Sequence, residues 1–175
     1  MTQTLVMTVI GEDRPGLVES IAALVAEHGG NWLESRMARL GGQFAGILRV
    51  EVPRERQNAL TVALQTLRTR GLTTVVQPDR AVASRPAGRP HLLELVGQDR
   101  PRIVRQISAV LTDYGVNVEE LETECASAAM SGETLFKAHA RLEVPADCEV
   151  AAIRAKLEKL AADLIVDISL DEVKK

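Results

Sequence analysis

Apolar and polar positions along the chain form short blocks that predict an alternation of strands and helices. Residues 5–10 are almost continuously apolar and end at a glycine, as is typical of a buried central strand. Apolar residues then recur at helical spacing over residues 17–25, and Gly29 stands where a left-handed helix cap is expected. Residues 31–39 and 43–52 follow as two strands on either side of a glycine turn.

A second amphipathic helix around residues 60–67 and a strand over residues 72–76 complete the first half of the chain. The order β-α-β-β-α-β is that of the ferredoxin-like unit. Right-handed crossovers place its first and third strands in the centre of a four-stranded antiparallel sheet, with both helices on one face. Pro15 is suited to the first turn of the first helix.

The pattern occurs twice. The stretch GEDRPGLV that begins at Gly11 returns 86 residues later as GQDRPRIV, beginning at Gly97. From Phe44, which matches Phe136, the offset is 92, so the second copy carries six extra residues around positions 127–132. The second copy is predicted to have strands at 91–96, 117–125, 135–144 and 164–170, and helices at 103–114 and 150–160.

The predicted fold class is therefore α+β, with two tandem ferredoxin-like βαββαβ domains. We expect domains at residues 1–77 and 91–175, joined by a linker at residues 78–90 that contains three prolines and three arginines. Domains of this size have marginal cores, so packing against each other or in a homodimer or higher oligomer is expected.

Composition and charge limit the classes of function that this chain can have. The chain is 46% hydrophobic and 26% charged, as in soluble globular proteins. Residues 1–77 hold eight arginines against seven carboxylates, and residues 91–175 hold ten basic against sixteen acidic side chains. Neither half predicts the positive surface that direct nucleic-acid binding needs, although contact of the linker arginines with nucleic acid stays open. Without a bilayer-spanning run or a signal-like start, we expect a cytoplasmic location and no membrane partner.

Catalytic and metal-binding patterns are weak. Cys125 and Cys148 form no CxxC or Cys/His cluster, and no nucleophile elbow or P-loop occurs, so we predict no catalytic residue, metal or cofactor. Cys148 lies near a predicted helix start, which favours a thiolate, but an ordinary reduced thiol is the preferred interpretation. An enzyme that uses Cys148 or His139 is the disfavoured alternative. The acidic run over residues 119–124 either protects a sheet edge or, less favoured, holds a metal.

The turn between the first strand and the first helix is the candidate ligand site. Backbone N–H groups at a helix start attract a carboxylate, and Gly16, after Arg14 and Pro15, leaves the backbone open. Asp13 offers charge for an ammonium group, and Asn31 offers both an acceptor and a donor. The same residues can equally serve as an ordinary turn and helix start.

The second copy repeats these positions as Asp99, Arg100 and Asn117. Arg102 stands in place of Gly16, and we expect its long side chain to fill or reshape the site. The first turn is therefore the better candidate for ligand binding, and the second copy is the candidate for dimerisation or partner contact.

These residues carry a family resemblance. The turn at residues 11–16 and the following Gly29-Gly30-Asn31 resemble the ACT domain, a regulatory βαββαβ module. Two such units with nothing attached, and the stretch at residues 130–136, are similar to the glycine cleavage system transcriptional repressor family. The resemblance implies amino-acid binding at domain interfaces, with glycine as a candidate ligand. It also implies action through a partner transcription factor. The alternative is a ligand-free interaction scaffold of the same fold.

Overall fold

The computed structural model describes residues 1–79, 88–127 and 134–173. The chain divides into two compact units, Met1–Ala81 and Val82–Lys175. Most of the predicted linker at residues 78–90 and most of the predicted insertion around residues 127–132 lie outside the described residues. No helix in the described part of the chain is long and apolar enough to cross a membrane.

The first unit has the predicted βαββαβ order. Its elements are β1 (Thr2–Glu12), α1 (Leu17–Glu27), β2 (Asn31–Leu40), β3 (Gln43–Pro53), α2 (Gln57–Thr66) and β4 (Leu72–Pro78). The strands form one antiparallel sheet in the order β2-β3-β1-β4. The prediction that the first and third strands are central is confirmed.

The second unit repeats this topology. Its elements are β5 (Arg89–Gln98), α3 (Ile103–Asp113), β6 (Asn117–Ser127), β7 (Thr134–Val144), α4 (Val150–Leu164) and β8 (Val166–Glu172). The sheet order is β6-β7-β5-β8, again antiparallel throughout. The α+β class and the tandem ferredoxin-like fold are thus confirmed, and the acidic run at residues 119–124 lies on an edge strand as predicted.

Each core lies between the helices and one face of its sheet. In the first unit the side chains of Leu5, Met7, Leu60 and Leu64 have no solvent exposure. Burial of an aliphatic side chain contributes about 1.5–3 kcal/mol, so these residues hold the helices on the sheet. The predicted apolar stripe of α1 is correct except for Val18, which is half exposed.

The two corresponding helices begin and end in the same way. At the end of α1, Gly29 has a φ of +69°, its N–H donates to the carbonyl of Ala26, and Gly30 N–H donates to that of Val25. This is the Schellman pattern, and α3 repeats it at Gly115. At the start of α1 the prediction needs correction. Pro15 lies in the turn and not in the first helical turn, because the next residue adopts a left-handed conformation.

Candidate functional site

The turn before α1 leaves the first N–H groups of the helix without a cap. Gly16 has φ +90° and ψ 1°, and no side chain caps the helix. Its carbonyl accepts hydrogen bonds from the backbone N–H and the Oγ of Ser20, both at 2.9 Å. A helix start in this state offers N–H donors and a positive partial charge to a carboxylate.

A cavity of about 460 Å³ opens at this turn. The side chains of Glu19 and Phe44 border it together with the turn itself. Its lining includes Asp13, Arg14, Gly16, Val18, Glu19 and Phe44. Helix N–H donors and two carboxylates therefore border the same space, which is the combination that a small zwitterion requires.

The polar side chains of the first turn are held by partners that the sequence did not indicate. Asp13 Oδ2 lies 3.0 Å from Nε of Arg39 on β2, and Asp13 N–H donates to the carbonyl of Gly42 at 2.9 Å. Arg14 Nη2 donates to the carbonyl of Arg70. The hydrogen bond of Arg14 therefore holds the turn against the segment that precedes β4. The carboxylate of Asp13 lies at the border of the cavity.

The second turn has the same backbone with a different residue. Arg102 has φ +74° and ψ 6°, and its carbonyl accepts the N–H of Gln106 as that of Gly16 accepts Ser20. Asp99 N–H donates to Thr134 at 2.9 Å, and Arg100 Nη2 lies 3.3 Å from Gln98 Oε1. The Arg102 side chain is exposed and has no hydrogen bond or ion pair with any described residue.

The two asparagines lie far from the turns of their own units. Asn31 pairs with Glu51, whereas the strand that leads into the first turn pairs with Gln43 at the opposite end of β3. Eight residues of extended strand span about 26 Å. Asn117 is placed in the same way across from Glu143. Within one unit the structure does not bring the turn and the asparagine together.

Asn117 instead borders a second cavity, of about 580 Å³, at the far end of the second sheet. Its lining includes Thr112, Gly115, Asn117, Glu143, Pro145 and Asp147. The N–H of Gly88 donates to Glu143 Oε1 at 3.0 Å at its border. The sequence analysis did not single out Glu143 or Asp147. One signal was present, because Glu51-Val52-Pro53 recurs at residues 143–145 and both copies therefore share this strand end.

Metal-binding groups and the two cysteines are the remaining candidates. In the described part of the chain, no group of three or more His, Cys, Asp or Glu side chains is arranged to hold a metal. Cys125 is an exposed free thiol and Cys148 a partly buried one.

Comparison with known proteins assigns the fold to a family. The sequence profile of the ACT domain family matches residues 3–77 and 90–171, most of both halves. The chain belongs to the ACT domain family. It contains two ACT domains in tandem, as the repeated turn predicted.

Three relatives cover nearly the whole chain. The glycine cleavage system transcriptional repressor of Escherichia coli is 26% identical over 173 residues, 97% of this chain and 90% of its own length. A crystal structure of an unknown protein from Galdieria sulphuraria is 34% identical over 99% of this chain and all of its own, with a TM-score of 0.85. A candidate glycine cleavage system transcriptional repressor matches at 19% identity and a TM-score of 0.72 over 100% and 99% of the two chains, which shows the shared tandem fold.

Proposed function

We propose that this protein is an amino-acid-responsive regulator that modulates transcription through a partner protein. The tandem ACT domains and the similarity to a named repressor over 97% of the chain support a regulatory role. The observation that carries the ligand part is the uncapped start of α1, where Gly16, Asp13 and Glu19 border one cavity. The ligand carboxylate would accept from the helix N–H groups, and its ammonium would face the two carboxylates.

The ligand site would be completed by a second chain. Asn31 and Glu12, the last residue of the strand before the turn, pair with β3 at positions eight residues apart, which is about 26 Å of strand and several times the length of glycine. An asparagine that contacts the same ligand therefore comes from another copy of the domain. A homodimer supplies one, and ligand binding would then strengthen the association of the chains.

Calorimetric titration of the full chain with glycine and serine tests ligand binding. We expect saturable binding in the wild type and its loss in Gly16→Arg, because the variant loses the side-chain-free backbone that lets a ligand approach the turn. Folded protein that binds no amino acid at millimolar concentration would contradict the sensor proposal. Titration of a mixture of Gly16→Arg and Asn31→Ala chains tests the second step, because mixed dimers restore one complete site.

The partner protein would carry the DNA contact. The second half has an excess of acidic side chains, and phosphate binding requires the opposite charge. We expect no retardation of operator DNA by the purified chain alone in an electrophoretic assay. We expect retardation when the partner regulator is added. Retardation by the pure chain at physiological salt would contradict this division of roles.

A ligand-free interaction scaffold is the second candidate, favoured by the uncovered face of the first sheet. Ile10, Ile47 and Val75 lie on this face and are 51%, 54% and 52% exposed. Exposed aliphatic side chains on one surface are typical of a protein contact. Co-purification separates the candidates, because a scaffold retains its partner in the Gly16→Arg variant and without added amino acid.

A further inference from the structure

Arg39 on β2 places a positive charge at the border of the cavity before α1. Its Nε lies 3.0 Å from Oδ2 of Asp13, which lines that cavity. The side chain of Asp13 is 33% exposed and that of Arg39 is 71% exposed. The carboxylate that would face a ligand ammonium is therefore already paired with a cation of the same chain.

A backbone hydrogen bond, and not this ion pair, is what both copies use to hold the hairpin of β2 and β3 against the turn. The N–H of Asp13 donates to the carbonyl of Gly42 at 2.9 Å. The second unit has the same bond at the same distance, from the N–H of Asp99 to the carbonyl of Thr134. The contact between hairpin and turn therefore belongs to the backbone, whatever side chains accompany it.

Arg39 has no basic counterpart in the second unit. Cys125 stands in its place, because it pairs with Phe136 on the neighbouring strand as Arg39 pairs with Phe44. A thiol brings no cation to the second turn, and the hairpin keeps its contact there without one. The fold of this region thus does not depend on the guanidinium, and the effect of Arg39 falls on the charge at the cavity.

The pairing of Arg39 with Asp13 can be exchanged for a ligand. Ion pairs between exposed side chains are weak, because water solvates both partners and salt screens their attraction. Release of Arg39 returns its guanidinium to solvent, where most of the side chain already lies. An ammonium group in the cavity can therefore replace the guanidinium at the carboxylate.

Two more charged side chains border the cavity. Arg14 donates to the carbonyl of Arg70, which directs its guanidinium to the segment before β4. Glu19 lies in the first turn of α1 and adds a second carboxylate. Both remain in place when Arg39 alone is changed. A change in ligand affinity on substitution of Arg39 therefore reports on its pairing with Asp13.

We propose that Arg39 is an internal competitor of the ligand ammonium for Asp13. In the free chain its guanidinium occupies the carboxylate, and in the bound chain the ammonium takes that place while Arg39 turns to solvent. The ion pair thereby raises the ligand concentration at which the first site fills. This inference rests on the proposed amino-acid site at Gly16 and adds to it a residue that sets its affinity.

Calorimetric titration of the full chain with glycine and serine tests the competition. Glycolate is the matched probe, because it has a hydroxyl group in place of the ammonium of glycine. We expect Arg39→Gln to lower the Kd for the amino acids about two- to fivefold, the range that an exposed ion pair allows. It should not strengthen the binding of glycolate. Arg39→Lys keeps the positive charge and should stay within about twofold of the wild type.

Two further variants separate this pairing from a general effect of charge. Arg36→Gln removes the same charge from the same strand, but Arg36 pairs with the exposed Ile47 on the opposite face of the sheet. We expect its Kd to stay within about twofold of the wild type. In Asp13→Asn, the additional change Arg39→Gln should leave the Kd unaltered, because the carboxylate for which the two cations compete is gone.

A higher Kd for the amino acids in Arg39→Gln would overturn the proposal, because it would show that the guanidinium binds the ligand carboxylate. An unchanged Kd, or an equal decrease in Arg36→Gln, would overturn it as well. These results leave the amino-acid site standing, since the ligand still binds. Absence of binding by the folded wild type contradicts the site itself, and the competition with it.

Discussion

Gly16 and Arg102 hold the same left-handed backbone conformation, with φ of +90° and +74°, immediately before α1 and α3. In both copies the carbonyl of this residue accepts the first hydrogen bond of the helix. The conformation therefore belongs to the turn, and glycine adopts it without steric cost whereas arginine does not.

Arg102→Gly should stabilise the protein. A non-glycine residue in this region costs about 1–2 kcal/mol, and part of that gain is offset by the greater freedom of glycine in the unfolded chain. We expect the free energy of unfolding to rise by about 0.5–1 kcal/mol in urea denaturation. Arg105→Gly, the same exchange inside α3, should lower it by about 1 kcal/mol. Destabilisation by both variants would show that the turn tolerates arginine without strain.

Asp13→Asn should weaken amino-acid binding with little effect on folding. The ion pair with Arg39 is largely exposed, so its loss should change the free energy of unfolding by less than about 1 kcal/mol. Loss of the charge that faces the ligand ammonium should lower the affinity about tenfold. Arg39→Gln breaks the same ion pair and keeps the carboxylate. If calorimetry shows equal weakening in both variants, Asp13 acts on the ligand only by holding the turn.

Gly97→Ala should destabilise the second unit. A Cβ at this position would meet the side chain of Val166 and come within 2.7 Å of its Cα, because β5 and β8 approach closely there. We expect a loss of about 1–3 kcal/mol in thermal or urea unfolding. Gly41→Ala is the comparison, since its Cβ would meet no atom within 4 Å and only the positive φ of +57° is penalised. A smaller loss for Gly97→Ala than for Gly41→Ala would contradict the proposed overlap.

Glu124 should titrate below the ordinary range of glutamate. The hydrogen bond from Lys137 Nζ at 2.9 Å, and then its positive charge, lower the pKa of this carboxyl. Because the folded-state pKa is lowered, the stability that Glu124 contributes is present at neutral pH and is lost as the pH falls through that pKa. Carboxyl NMR should show the midpoint moving up in Lys137→Met. An unchanged midpoint would exclude Lys137 as the cause.

The fold could be predicted because its determinants are local and occur twice. The apolar run of β1 and the helical spacing of α1 are visible in single stretches of sequence, and the handedness of the crossovers then sets the strand order. Glycines at the ends of α1 and α3 marked where the helices stop, because the left-handed position of the Schellman turn suits glycine.

The candidate site was less predictable because it depends on register. Asp13 and Asn31 are close in sequence, but the 11 residues of α1 carry the chain about 16 Å back along the sheet before Asn31 begins β2. The ion pair of Asp13 with Arg39 likewise depends on how the hairpin of β2 and β3 aligns with β1. The sequence did not single out Glu143 and Asp147, because the cavity that they line beside Asn117 forms only in the folded chain.

Having two domains in one chain has a consequence for how the two turns can diverge. In a dimer of identical single-domain subunits, a substitution such as glycine to arginine at the turn appears at both symmetry-related positions. In this chain Gly16 and Arg102 are encoded separately, so each molecule carries one turn of each kind. The stoichiometry of the two types of turn is fixed at one to one by covalent linkage, whatever the protein concentration.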